Sequence, residues 1–232
     1  MQVIEVSLTG VRSSVLPLGR SETPMRFVLF PMIHLGMPDF YESVAVRLGD
    51  CRMVVAEGVG GRSVIASALT LAYRMPGHSR RLGLTVQRID YASLGIPVIR
   101  PDITARQLRQ RWRSVPAMQR LAVWCLVPPF ALALRRFGTR RVLSRYLDQT
   151  DLPTREEEQL RQAARELTEL ILDHRDALLV QALATIHETR HSEPITVAVV
   201  YGAGHVPFVT HELLRRYGYR PRTAEWLTVF DF

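Results

Sequence analysis

Short apolar runs bounded by Gly, Pro or polar residues alternate along this chain with stretches of helical period. Gln2–Leu8 (QVIEVSL), Arg26–Ile33 (RFVLFPMI), Arg52–Ala56 (RMVVA), Ile195–Tyr201 (ITVAVVY) and Trp226–Phe230 read as strands. Thr85–Ile89 and Ile96–Ile99 are shorter candidates. Each is rich in β-branched or aromatic residues and too short for a buried helix. A polar loop is expected between the first two runs.

Pro38, followed by Phe40, Val44 and Leu48 and stopped by Gly49, predicts a helix. A second follows the glycine turn Gly58–Gly61 and carries Val64, Ala68, Leu71 and Ala72. From Thr104 to about Leu147 the pattern is helical and basic, broken at Pro116 and Pro128-Pro129. A long helix is expected from Thr154, capped by Glu157 and carrying Leu160, Leu167, Leu170, Ile171 and Leu178. A last helix, Pro207–Tyr217, ends at Gly218. Together these predict a single α/β domain over residues 1–232, a mixed β-sheet with helices packed on it and a basic helical insertion at about 100–150.

Three of the runs end on residues able to hold a metal: His34, Glu57 and, after Gly202-Ala203-Gly204, His205. Ligands of open α/β sheets sit outside the carboxyl ends of strands. Two imidazoles and a carboxylate there make a three-ligand site with an open position for water. Gly202 and Gly204 are expected to supply positive φ or close backbone approach. The plainer reading pairs Glu57 with an arginine such as Arg62 or Arg175 and makes His205 a hydrogen-bonded structural residue. Arg175 itself either holds the helix surface together or turns inward to clamp Glu57 and polarise a carbonyl. Asp102 and Thr104 offer oxygens to orient the site's ligands from behind or, more simply, cap the basic helix.

Composition narrows the setting. The net charge is +8, and every basic residue is Arg. Arg100–Arg145 holds eleven Arg and a single acid, Asp102. That is a solvated helical face, or a surface for an anionic membrane or an acidic partner. Nucleic acid is not expected, because no recognition motif accompanies the charge. Cys51 and Cys125 make no disulfide framework, and Met1–Leu8 lacks a signal-peptide pattern, so a cytoplasmic protein is expected. The longest apolar run, Leu121–Leu134, reads as too short to span a bilayer. With its Pro break it predicts a buried helix pair, with shallow docking at a membrane surface as the alternative. His187-Glu188-Thr189-Arg190-His191 is a literal HExxH. Arg190 between the histidines, and a helix ending at Ser192–Pro194, argue for a frayed, solvated pair.

These residues resemble the TraB/PrgY/GumN superfamily, which includes the Tiki proteins and is distantly similar to erythromycin-esterase and ChaN-like proteins. The second Gly-x-x-His of that family is Gly202–His205 in VAVVYGAGHVP, and its helix arginine is Arg175 in DHRDALL, followed by Asp176. Its glutamate is Glu57 in VVAEGVGGR, with Arg62 as the following arginine. VIRPDITARQLRQRW matches the segment with an aspartate before a threonine, here Asp102 and Thr104. The first motif departs, with Pro31 where the family has Gly, although Gly36 follows His34.

The resemblance implies a metal-dependent hydrolase, peptidase-like by analogy with the Tiki proteins and acting on a peptide or other acyl substrate. His34, Glu57 and His205 would hold a divalent ion (Zn, Mn, Co or Fe), with Arg175 or Arg62 stabilising an oxyanion. The alternative is a non-catalytic module that sequesters a peptide signal, haem or an anion.

Overall fold

The computed structural model describes residues 2–61, 63–145, 147 and 165–232. In chain order the strands are β1 (Ile4–Val6), β2 (Gly10–Gly19), β3 (Arg26–Met32), β4 (Leu35–Gly36) and β5 (Met53–Ala56). They continue as β6 (Thr85–Val86), β7 (Val98–Ile99), β8 (Thr196–Gly202), β9 (Arg220–Pro221) and β10 (Glu225–Asp231). One mixed, eight-stranded sheet runs β1-β2-β3-β8-β5-β7, with β9 and β10 also joined to β2.

Its centre is parallel. Val28 pairs with Ala198, Val54 with Ala198 on the other side, and Val54 in turn with Val98. All of β5 and the interior of β8 are buried, which is why they read as unbroken apolar runs. Parallel registry sends the chain out of β3, β8 and β5 at the same sheet edge. His34, Glu57 and the Gly202–His205 turn therefore emerge side by side.

The expected polar loop after β1 is instead β2, which runs antiparallel to β1, β3, β9 and β10. Arg12, Ser13, Ser14 and Pro17 disguise it in the sequence. Ser13 is nevertheless buried, its hydroxyl donating to the Pro31 carbonyl at 2.6 Å. The Pro17 carbonyl accepts from Arg222 N at 2.8 Å.

Helix α1 (Pro38–Gly49) buries Phe40, Tyr41, Val44 and Leu48. The insertion begins after the short α2 (Val64–Leu69) and α3 (Leu71–Arg74) and comprises α4 (Ala105–Trp112), α5 (Ala117–Phe137) and α6 (Arg140–Ser144). A small second apolar cluster, Ile103, Leu108, Trp112, Val115 and Val123 with Ile65 of α2, packs the insertion against α2. Arg106, Arg109, Arg111 and Arg113 are exposed, the solvated face that a charge run predicts.

The break expected at Pro128-Pro129 does not occur: α5 is continuous through both. The carbonyls deprived of donors belong to Trp124 and Cys125, which are exposed, so solvent can take those bonds. Nor is this a buried helix pair. Only Val123, Ala131 and Leu134 of α5 are buried, while Leu121, Leu126, Leu132 and Phe137 stand more than half exposed. Among the described residues α5 is the one helix long and apolar enough to cross a membrane, which corrects the estimate from the shorter run Leu121–Leu134.

The late helix is described from α7 (Arg165–Thr168), through a π-helical turn Glu169–Asp173, into α8 (His174–Arg190). The expected cap at Thr154 and Glu157, and Leu160, lie outside the described residues, as do the side chains of Leu170 and Ile171. Asp176, Leu179, Val180 and Leu183 supply the buried face of α8. α9 (Val206–Tyr217) ends on Gly218 in the left-handed region at φ 74°.

Candidate active site

Glu57 continues from β5 and its amide donates to the Val200 carbonyl at 2.9 Å, which ties it to the end of β8. Its carboxylate is held at both oxygens: Arg175 Nη2 donates to Oε1 at 2.6 Å, and the Gly202 amide donates to Oε2 at 2.7 Å. Burial alone would raise its pKa. Arg175, His34, His205 and the Gly202 amide outweigh that and hold the carboxyl down to about 2.

Arg175 is fixed by Asp102, whose side chain is fully buried. Nε donates to Oδ1 at 2.8 Å and Nη2 to Oδ2 at 2.6 Å. Asp102 also accepts from the Gly58 amide at 3.0 Å and from its own neighbour Ile103 N at 2.8 Å. A fork so held is a rigid cation, its pKa raised by the two carboxylates against the opposing effect of burial. Arg175 is the second residue of α8, which follows directly on the π-helical turn Glu169–Asp173.

The histidines are fixed by partners of their own. His205 is 3 % exposed and its Nδ1 lies 2.6 Å from Asp176 Oδ1. A carboxylate only accepts, so Nδ1 carries a proton and Nε2 is the ring nitrogen left facing Glu57. That Nε2 stands 3.9 Å from Glu57 Oε1. Burial raises the Asp176 pKa, with the His205 hydrogen bond pulling the other way. His34 Nδ1 is 2.9 Å from Gln87 Oε1, and the Gln87 amide donates to the His34 carbonyl at 2.9 Å. The His34 ring stacks on Tyr73, centroids 4.7 Å apart.

All three groups meet above Gly202. A Cβ there would come within 3.2 Å of Glu57 Oε2, 3.6 Å of His205 Cδ2 and 3.9 Å of His34 Nε2. Of the two expected roles, close approach is the one Gly202 fills; its φ is −51°, and Gly204 is not among the glycines with positive φ.

The other expected residues divide. Asp102 and Asp176 join the site. Thr104 caps α4 in a box with Gln107. Gly36 lies in β4, where a Cβ would meet Val229 Cγ1 at 3.0 Å, so it serves packing. Arg62 lies outside the described residues. Gln87 and Tyr73 had no signal in the sequence, since one follows a two-residue strand and the other sits in a one-turn helix. Of the HExxH pair, His187 departs from the expected solvated end: it is buried, with Nδ1 3.1 Å from Tyr219 Oη, whereas His191 is exposed at the C-cap, its Nδ1 3.0 Å from the His187 carbonyl. Arg190 is paired with Glu193 and Glu188 accepts from Tyr217 Oη, so this cluster is packing chemistry.

Two cavities flank the site and share His34, Glu57, Tyr73 and Arg175. One, of about 400 Å³, is walled by apolar side chains from α5, α6 and the sheet. The other, of about 720 Å³, opens beside Gln87, Arg88 and Arg100.

Among the described residues no group of three or more His, Cys, Asp or Glu is drawn together at ion-holding spacing. The donor types nevertheless suit a divalent ion. Both imidazole rings are oriented by outer partners at Nδ1, and Gly202 leaves the space between them and a carboxylate open. Comparison with protein-family models, curated proteins and solved structures finds no match.

Proposed function

We propose that this protein is a hydrolase of an amide- or ester-linked acyl substrate, of the TraB-like kind its motifs resemble. The observation that carries this reading is the convergence of His34 Nε2, His205 and the Glu57 carboxylate over Gly202, between two cavities. Such a point, with polar groups gathered in a concave and mostly apolar setting, is where a scissile bond would sit.

His34, Glu57 and His205 would hold a divalent ion (Zn, Mn, Co or Fe), which supplies Lewis acidity and acidifies water when bound. Asp176 and Gln87 keep both imidazoles in the tautomer that such an ion or a substrate requires. Arg175, locked by Asp102, keeps a positive charge next to the position of a developing oxyanion. Elemental analysis of purified protein, with hydrolysis assayed before and after chelation, tests the reading. Activity untouched by both chelation and His205→Ala would end it.

A second reading is favoured by the closed Glu57–Arg175 ion pair. Here no ion is needed. His205, with Asp176 behind it, takes a proton from water at Nε2, and Arg175 meets the carbonyl oxygen. Metal-free protein that still turns over would select it. Stoichiometric binding without turnover, unchanged by Glu57→Gln, would instead favour a module that sequesters a peptide, haem or an anion. The apolar outer face of α5, with Arg120, Arg135 and Arg136 at its ends, is proposed to seat on an anionic bilayer surface.

A further inference from the structure

We infer that the substrate is an unbranched acyl chain joined through an amide or ester carbonyl to a small anionic group. The chain lies in the smaller cavity and the anionic group in the larger. This rests on the hydrolase reading for the reaction, and on the cavities alone for the ligand.

The smaller cavity has its polar groups at one end. There lie His34, Glu57, Arg175 and His205; away from them the wall is Phe130, Leu134, Leu143, Leu147, Leu172 and Phe230. A peptide threaded into that wall would bring an N–H and a C=O at each residue and leave them buried without partners, which is costly for each group. A hydrocarbon chain brings none. Its single polar group, the carbonyl, reaches the end where Arg175 and the imidazoles stand. About 400 Å³ is within the usual size of a ligand pocket and suits a medium chain rather than a diacyl lipid.

Much of the larger cavity's wall is apolar as well, including Leu69, Ile89, Ile103 and Leu108, but of the two cavities it alone carries Arg88 and Arg100. Gln87, Arg88, Arg100 and Thr70 line it together with Tyr91, over which the Arg100 guanidinium lies 5.2 Å from the ring centroid. Both arginines are exposed, so an anion there exchanges water for charge-assisted bonds without deep desolvation. Glu57, His34, Tyr73 and Arg175 belong to both walls, which puts the bond between chain and head at the site.

The test is calorimetric titration with N-hexanoyl-, N-octanoyl-, N-decanoyl- and N-dodecanoylglycine, kept below their micellar concentrations. Product glycine is assayed separately. Affinity is expected to rise with chain length by up to about fourfold per methylene, the ratio for full burial, and then to level off where the cavity ends. Ala72→Phe, which narrows the cavity from α3, should move that plateau to a shorter chain. Leu132→Ser, on the exposed side of α5, should leave the series unchanged. If Ala72→Phe does not fold, Leu147→Trp replaces it.

A flat series overturns the inference, as does a slope abolished by Leu132→Ser, which would place the chain on the outer face. Chain-dependent binding with a shifted plateau but no glycine release supports the ligand class and counts against the hydrolase alone. Peptide hydrolysis with a flat acyl series does the reverse.

Discussion

Arg175 and Asp102, seventy-three positions apart in sequence, form a two-bond fork in which Nε meets Oδ1 at 2.8 Å and Nη2 meets Oδ2 at 2.6 Å. The same Nη2 reaches Glu57. One guanidinium therefore serves two carboxylates, and it is only 11 % exposed. Arg175→Ala leaves both without that partner and should cost about 3–5 kcal/mol in urea denaturation. Arg175→Lys should recover little of it, because a point charge cannot reproduce the fork. Recovery by Lys to within about 1 kcal/mol of wild type, the scale of a single neutral hydrogen bond, would show that charge alone matters.

The depressed Glu57 pKa has a definite sign. Its folded value of about 2 lies below the ordinary 4.5, so its stabilising contribution is full above the ordinary value and is lost as pH falls toward 2. The shift corresponds to roughly 3 kcal/mol. Glu57→Gln mimics the protonated carboxyl. The stability gap between wild type and Glu57→Gln should therefore be widest near neutrality and close as pH drops to about 2. A gap independent of pH would refute the assignment.

Gly202→Ala adds a single methyl where Glu57, His205 and His34 converge. Displacing groups by a fraction of an ångström in such a site costs on the order of a hundredfold in rate. Turnover of the acylglycines should fall by about that factor, with little change in the thermal midpoint. Unchanged turnover would mean that the space over Gly202 is not used.

His187→Ala and His191→Ala test the HExxH directly. His187→Ala removes one of the two partners of the buried Tyr219 Oη, the other being Thr23, and should cost about 1 kcal/mol, with metal content and turnover unaltered. His191→Ala should cost less. Loss of bound metal in either variant would restore the motif as a ligand pair.

Sedimentation with anionic vesicles tests the outer face of α5. Binding should weaken as salt rises, through the flanking arginines, and should fall when Leu121, Leu126 and Leu132 are replaced by Ser. Equal binding to neutral vesicles would remove the electrostatic part.

The parallel strands were legible one at a time, because a strand buried on both faces must be apolar throughout, as β5 and β8 are. Their strand-end residues, His34, Glu57 and His205, could be picked out on the same ground, and helix punctuation such as Pro38 and Gly218 is equally local. β2 was not legible, since Ser13 and Pro17 satisfy their hydrogen bonding through partners distant in sequence. The course of α5 past Pro128-Pro129 was likewise decided by whether solvent reaches two carbonyls. Only the tertiary structure chose the side to which Arg175 turns, gave Asp102 to it and Asp176 to His205, and recruited Gln87 and Tyr73 behind His34. Residue type and local period fix which groups can do chemistry; which groups share a point depends on strand order and helix register, and those are settled by packing across the whole chain.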